Sequence, residues 1–132
     1  MKRFAFLFLL SATLIFISSC DKCNDDAVFC TEEFRMITIN IDNSTQLPVM
    51  LDEAYTLRQG SSQKLLFDQP FTNGTYVVLD DSYHPNLKND EDVFRFIGVK
   101  NGVVIIDTPY SIAGDNCHIF KKTGVDSVVI QP

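Results

Sequence analysis

Two apolar runs, residues 93–99 and 103–106, face each other across Asn101-Gly102. That dipeptide readily supplies the two successive positive φ angles of a type I′ turn, which reverses a chain in two residues and matches the twist of the strands it joins. A chain built around such a turn is committed to antiparallel pairing there. The rest of the sequence agrees, because from Phe34 onward apolar residues recur at period two or in short runs and sustain no helical stripe.

Ile37, Ile39 and Ile41 alternate with Thr38 and Asn40, which predicts a half-buried strand ending at the turn cluster Asp42-Asn43-Ser44. Residues 49–58, with Leu51, Tyr55 and Leu57, predict a second strand that breaks at Gly60-Ser61-Ser62, and residues 64–67 a short returning partner. Asn73-Gly74 introduces Tyr76-Val77-Val78-Leu79, and Pro70 upstream predicts that this strand lies at an edge. Val103-Val104-Ile105-Ile106 has no polar alternation and reads as a central strand covered on both faces. Residues 118–121 and 125–130 read as a terminal hairpin around Thr123-Gly124. Seven to eight short strands cannot bury one face each in a single flat sheet, so the expected fold class is all-β, a two-sheet antiparallel sandwich over residues 33–132.

The start of the chain concerns its destination. Met1-Lys2-Arg3 precedes a 14-residue apolar stretch, residues 4–17, and then Ser18-Ser19-Cys20. As a helix that stretch reaches about 21 Å, short of the ~30 Å hydrocarbon core of a bilayer, and the charged, apolar and small-residue segments are laid out as in a secretory signal. Ile17-Ser18-Ser19-Cys20 resembles the lipobox of bacterial lipoproteins. The resemblance implies removal of residues 1–19, diacylation (palmitate-type chains) of Cys20, and membrane attachment through the acyl chains. Each buried methylene contributes ~0.8 kcal/mol, so two or more chains anchor stably. Residues 20–32, rich in Asp and Asn, are expected to form a flexible tether. An acidic start resembles surface-export tethers in some Gram-negative groups, while Asp directly after the Cys marks inner-membrane retention in others. The expected address is the cell envelope, at the outer membrane or cell surface in preference to the inner membrane.

Cleavage leaves 113 of the 132 residues, one domain's worth, and removes Lys2 and Arg3 but no acid. Nine basic residues then face seventeen acidic ones, a formal charge of −8. That sign opposes nucleic-acid binding, which needs clustered Lys and Arg, and only Lys121-Lys122 are adjacent.

With Cys20 acylated, Cys23, Cys30 and Cys117 remain, and an oxidising compartment favours pairing two of them. Chain entropy favours the long closure Cys30–Cys117, roughly 4 to 5 kcal/mol, over the short closure Cys23–Cys30, about 2 to 3 kcal/mol. Cys23 as the partner of Cys117 stays open at this stage. The spacing contains no zinc pattern.

The order of features resembles transthyretin-like or carboxypeptidase-regulatory-like sandwiches of small surface lipoproteins, through the strand entering Asp42-Asn43, the Gly74-Thr75-Tyr76 entry, and Tyr110 leading through Asp115-Asn116-Cys117-His118 to the terminal strands. The resemblance implies a binding or stalk-like module, although the Gly usual after the first strand is missing.

Four features invite a chemical reading. Cys117-His118 could be a nucleophile and base, but neighbours along a strand point to opposite faces, and a disulfide half beside an ordinary His is expected. The polar connection from Asp80 to Asp92 offers Asp80, Asp81, Asn89, Asp90 and Asp92 as oxygen donors for calcium, without the spacing of an EF-hand. Tyr55, Tyr76, Tyr83 and Tyr110 could present aromatic surface to a glycan or protein, with Tyr83, beside His84-Pro85, the best placed. No Gly-x-Ser-x-Gly, His-Glu-x-x-His or phosphate-binding Gly loop occurs in residues 20–132, and Cys23, Cys30 and Cys117 form no Cys-x-x-Cys among themselves. The sequence therefore predicts a non-enzymatic envelope lipoprotein without a cofactor, its sandwich mediating interaction or assembly with a protein or glycan partner. The alternative is a ligand-binding accessory domain using the 80–92 loop for glycan or calcium.

Overall fold

The computed structural model describes residues 29–131. Eight strands follow one another: β1 (Met36–Asn43), β2 (Glu53–Arg58), β3 (Lys64–Leu65), β4 (Thr75–Asp80), β5 (Glu91–Lys100), β6 (Val103–Gly114), β7 (Ile119–Thr123) and β8 (Ser127–Ile130). A 3₁₀ segment, Asp81–Asn86, interrupts them between β4 and β5. The strands form two sheets, β4-β1-β8 and β3-β2-β5-β6-β7, so the chain is an all-β, two-sheet sandwich.

Period-two alternation makes β1 the inner wall of the smaller sheet. Ile37, Ile39 and Ile41 are buried while Asn40 is exposed, where its carboxamide accepts a hydrogen bond from the hydroxyl of its cross-strand partner Thr75 at 2.7 Å. The facing sheet supplies Phe94 and Phe96 from β5 and Ile106, Tyr110 and Ile112 from β6, all buried. Leu79, Leu87 and Ile119 complete the same core. Apolar burial of this kind contributes roughly 25 cal/mol per Å² and is the main force joining the sheets.

The β5–β6 hairpin forms as the dipeptide predicts. Lys100 pairs with Val103, and Asn101 and Gly102 take φ of 52° and 74°. β4 lies at an edge, as Pro70 implies, and side chains satisfy its free backbone. The Gln69 carboxamide accepts from the Val77 N–H at 2.8 Å, and the Thr56 hydroxyl, reaching across from the opposite sheet, donates to the Val78 carbonyl at 2.6 Å.

Four expectations are corrected. β2 covers only Glu53–Arg58 of the strand expected over residues 49–58, and within it Thr56 is the fully buried residue, whereas Tyr55 and Leu57 are half-buried. The hydroxyl of Thr56 finds a buried acceptor, which lets a polar residue occupy the inward position. The last two strands do not form a hairpin. β7 pairs with β6 in one sheet and β8 with β1 in the other. The chain crosses between sheets at Gly124, which lies so tightly on the Tyr110 ring that a Cβ there would collide with it. The pairing of β8 with β1 is parallel, an exception in a sandwich otherwise paired antiparallel. Finally, residues 103–106 are not covered on both faces: Val103 and Val104 are 61% and 52% exposed, because β7 runs beside β6 only at residues 111–114.

Candidate functional site

The densest convergence of polar chemistry lies where the chain enters the sandwich. Cys30 and Cys117 are joined by a disulfide across 87 residues of sequence, with Cα atoms 5.3 Å apart. One residue further along each strand of this link, Thr31 Oγ1 stands 3.0 Å from His118 Nε2. The other ring nitrogen, Nδ1, stands 2.8 Å from Asp81 Oδ2. His118 and Asp81 side chains are 8% and 9% exposed.

Local structure brings these groups together. After β6 the chain turns on Asp115, whose Oδ1 accepts from the N–H groups of Cys117 (2.7 Å) and His118 (2.8 Å), and these bonds hold its carboxyl below the usual carboxylate range. That turn presents Cys117 and His118 to the entering segment just before β7 begins. On the other side, β4 ends at Asp80, whose Oδ1 caps the 3₁₀ segment by accepting from the Ser82 N–H at 2.9 Å. Asp81 then points inward and accepts from the backbone N–H of Arg35 (2.8 Å) and of Ile119 (2.9 Å) as well as facing His118. Burial works against the Asp81 charge, but the Ile119 and Arg35 amides and the His118 ring outweigh it and hold the carboxyl below its ordinary value.

The order hydroxyl, imidazole, carboxylate is that of a hydrolase relay. Here the carboxylate also holds two backbone amides from different segments, so the arrangement fastens residues 31–35, the β4 end and the β7 start to one point. Cys30 and Thr31, which the sequence places in the tether, belong to this clamp. Cys20, the expected lipidation site, and Cys23 lie outside the described residues.

The other candidates separate. In the 80–92 connection each acid turns to its own partner: Asp80 to Ser82, Asp81 to the clamp, Asp90 to the Glu91 N–H at 2.8 Å, and Asp92 to the Arg58 guanidinium. Among the described residues no group of three or more His, Cys, Asp or Glu is arranged to hold a metal. The connection is also less open than its polarity suggests, because Leu87 is fully buried and Asn89 and Asp90 exchange backbone hydrogen bonds with Gly114.

All four tyrosines pack. Tyr76 and Tyr110 are buried, their hydroxyls donating to the Val49 and Val125 carbonyls at 3.0 and 2.7 Å. Tyr83 meets Phe94 edge-on at 5.6 Å, and Tyr55 lies beneath the Lys64 ammonium, 4.1 Å from the ring centroid. Lys121 and Lys122 pair with Asp126 and Glu91. His84 Nε2 lies 2.9 Å from the Asp115 carbonyl, on the outside of the same turn.

Sequence reasoning misses Thr31 and Asp81 as partners of His118. The residues are 87 and 37 positions from it, and no local pattern signals such a contact. The one available sign is Asp115, two residues before Cys117, in the position of a turn-capping side chain. The chain matches no family model, no curated protein and no solved structure.

Proposed function

We infer that this protein is an envelope lipoprotein, held on a membrane by acyl chains on Cys20 and carrying a non-enzymatic sandwich that binds or assembles with a partner outside the cytoplasm. The observation that carries this reading is the fastening of the entering chain. The disulfide and the buried Asp81–His118 pair sit where residues 30–35 join the fold, the point at which load from an N-terminal anchor would arrive. A partner pulling on the domain then loads a covalent link into the β6–β7 turn instead of peeling β1 from its sheet. The disulfide suits an oxidising compartment outside the cytoplasm, as the signal-like start requires. The acidic surface keeps the domain off anionic headgroups while it is tethered near them. The outer membrane or the cell surface is the proposed address.

The test is intact-mass analysis of envelope-extracted protein together with fractionation of Cys20→Ser. The expected mass is that of residues 20–132 plus fatty-acid chains, and the variant should leave the membrane fraction. Material retaining Met1, or a Cys20→Ser protein that stays with the membrane, would overturn the reading.

A further inference from the structure

β1 turns Ile37, Ile39 and Ile41 inward and the residues between them outward, where water calls for polar side chains. Thr38 and Asn40 follow that rule, but toward the start of the strand it lapses: Met36 is 43% exposed and Phe34, two residues earlier, is 55% exposed. Leu66, 69% exposed, joins them, and the three side chains line one recess of about 310 Å³ beside the cap that Asp80 makes to Ser82. Single exposed apolar residues are ordinary, whereas three converging on one recess mark a contact surface.

The position of the recess points to what covers it. The Arg35 amide, between Phe34 and Met36, is bonded to Asp81, and Cys30 is joined to Cys117, so the recess belongs to the end of the sandwich where the chain enters. The Asn101-Gly102 turn lies at the other end, since β6 runs 12 residues, roughly 35 Å, from Val103 beside that turn to Gly114 beside Asp115. Residues 20–28 separate Cys20 from Phe29 and span at most about 30 Å when fully extended. An acylated Cys20 on that tether holds the entering end near the bilayer at high effective concentration, so that even a weak apolar contact is populated.

Charge around the recess selects the kind of bilayer. The ionisable residues of its lining are Asp68 and Asp80, and of the neighbouring Glu32, Glu33 and Arg35 the last two pair with each other. An acidic rim is repelled by anionic headgroups and accepted by net-neutral ones. We propose that Phe34, Met36 and Leu66 dock this end of the domain on a zwitterionic lipid surface, the three side chains reaching the acyl boundary while Asp68 stays at headgroup level. The docking rests on the acylation of Cys20 inferred above.

The chain contains no Trp, so one placed at Phe34 is its sole indole. The acylated full chain carrying Phe34→Trp is reconstituted on phosphatidylcholine vesicles whose acyl chains are brominated just below the headgroup, where bromine quenches an indole on contact. Val103→Trp, at the far end, is the control, and flotation with the vesicles reports the anchor separately. Both variants should float, with the Phe34→Trp reporter quenched several-fold more than the Val103→Trp control. Adding Leu66→Asp, at a side chain already exposed, should remove most of that difference without changing flotation, and adding phosphatidylglycerol should weaken it at low salt. Floating protein whose Phe34→Trp reporter is quenched no more than the control overturns the docking and leaves the anchor standing; emission already that of a buried indole would then assign the recess to residues 21–28, and a shift only on adding envelope extract would assign it to a protein. Quenching that survives Leu66→Asp or grows with phosphatidylglycerol would also overturn the docking as stated. Protein that does not float removes the anchor, and the docking with it.

Discussion

The imidazole of His118 lies 2.8 Å from the carboxylate of Asp81, and both side chains are more than nine-tenths buried behind the Cys30–Cys117 disulfide. A buried carboxylate survives only where donors replace its water. Asp81 has three, from Arg35, Ile119 and His118. Asp81→Ala would leave two backbone amides and one ring nitrogen without their acceptor, and a loss of about 2 to 4 kcal/mol is expected. Urea denaturation of the variant against the parent chain measures it.

The same carboxylate sets an acid limit on the fold. Although burial alone would raise its pKa, the Ile119 and Arg35 amides and the His118 ring lower it below the ordinary value. A carboxyl whose folded pKa is depressed contributes stability that is present above the unfolded pKa, about 3.9, and is lost as pH falls through the folded value. Stability should therefore decline below about pH 4. Asp81→Asn should be less stable at neutral pH and should lack that component of the decline. Denaturation midpoints collected from neutral to strongly acidic pH give the comparison, and parallel curves for the two proteins would refute the assignment.

Reduction removes the covalent half of the clamp. The Cys30–Cys117 link closes 87 residues of sequence separation, and the chain-entropy relation gives about 4 to 5 kcal/mol for a loop of this length. Cys30→Ser/Cys117→Ser should lower the urea midpoint accordingly. Limited proteolysis should then cut first within residues 29–35, since the Thr31–His118 and Arg35–Asp81 hydrogen bonds alone hold that segment. Cleavage beginning in another loop would show that the clamp is not what retains the entering chain.

What could be read before folding was local. The alternation of Ile37, Ile39 and Ile41 and the Asn101-Gly102 turn involve residues within a few positions of one another, and both stand as expected. What could not be read depended on which sheet a strand joins. β7 and β8 sit eight residues apart from start to start, yet the close packing of Gly124 on Tyr110 sends them to different sheets. The apolar run at residues 103–106 carries the composition of a central strand, but the length of β7, set by that same crossing, leaves it at an edge. Which residue of β2 faces the core was not local either: Thr56 takes that position where the Val78 carbonyl, 22 residues away in sequence, receives its hydroxyl. In the clamp, Cys30 and Cys117 were legible from loop entropy, and Thr31 and Asp81 were not, since their contacts exist only once both sheets are assembled.

Thr56 also provides the sharpest test of how the sheets are joined. Its hydroxyl is fully buried on β2 and donates at 2.6 Å to the Val78 carbonyl on β4, a hydrogen bond from one sheet to the other. Thr56→Val keeps the shape, raises β propensity and adds apolar surface, so packing alone would leave stability equal or improved. Removing the donor instead orphans a buried carbonyl, which costs about 1 to 3 kcal/mol. The second term should win, with a net loss of about 1 kcal/mol or more. Hydrogen exchange should quicken along β4, where Gln69 at Val77 becomes the remaining side-chain partner of the edge, and should change little in β5 and β6. A Thr56→Val protein as stable as its parent would show that apolar contact, without this hydrogen bond, suffices to hold β4 over β2.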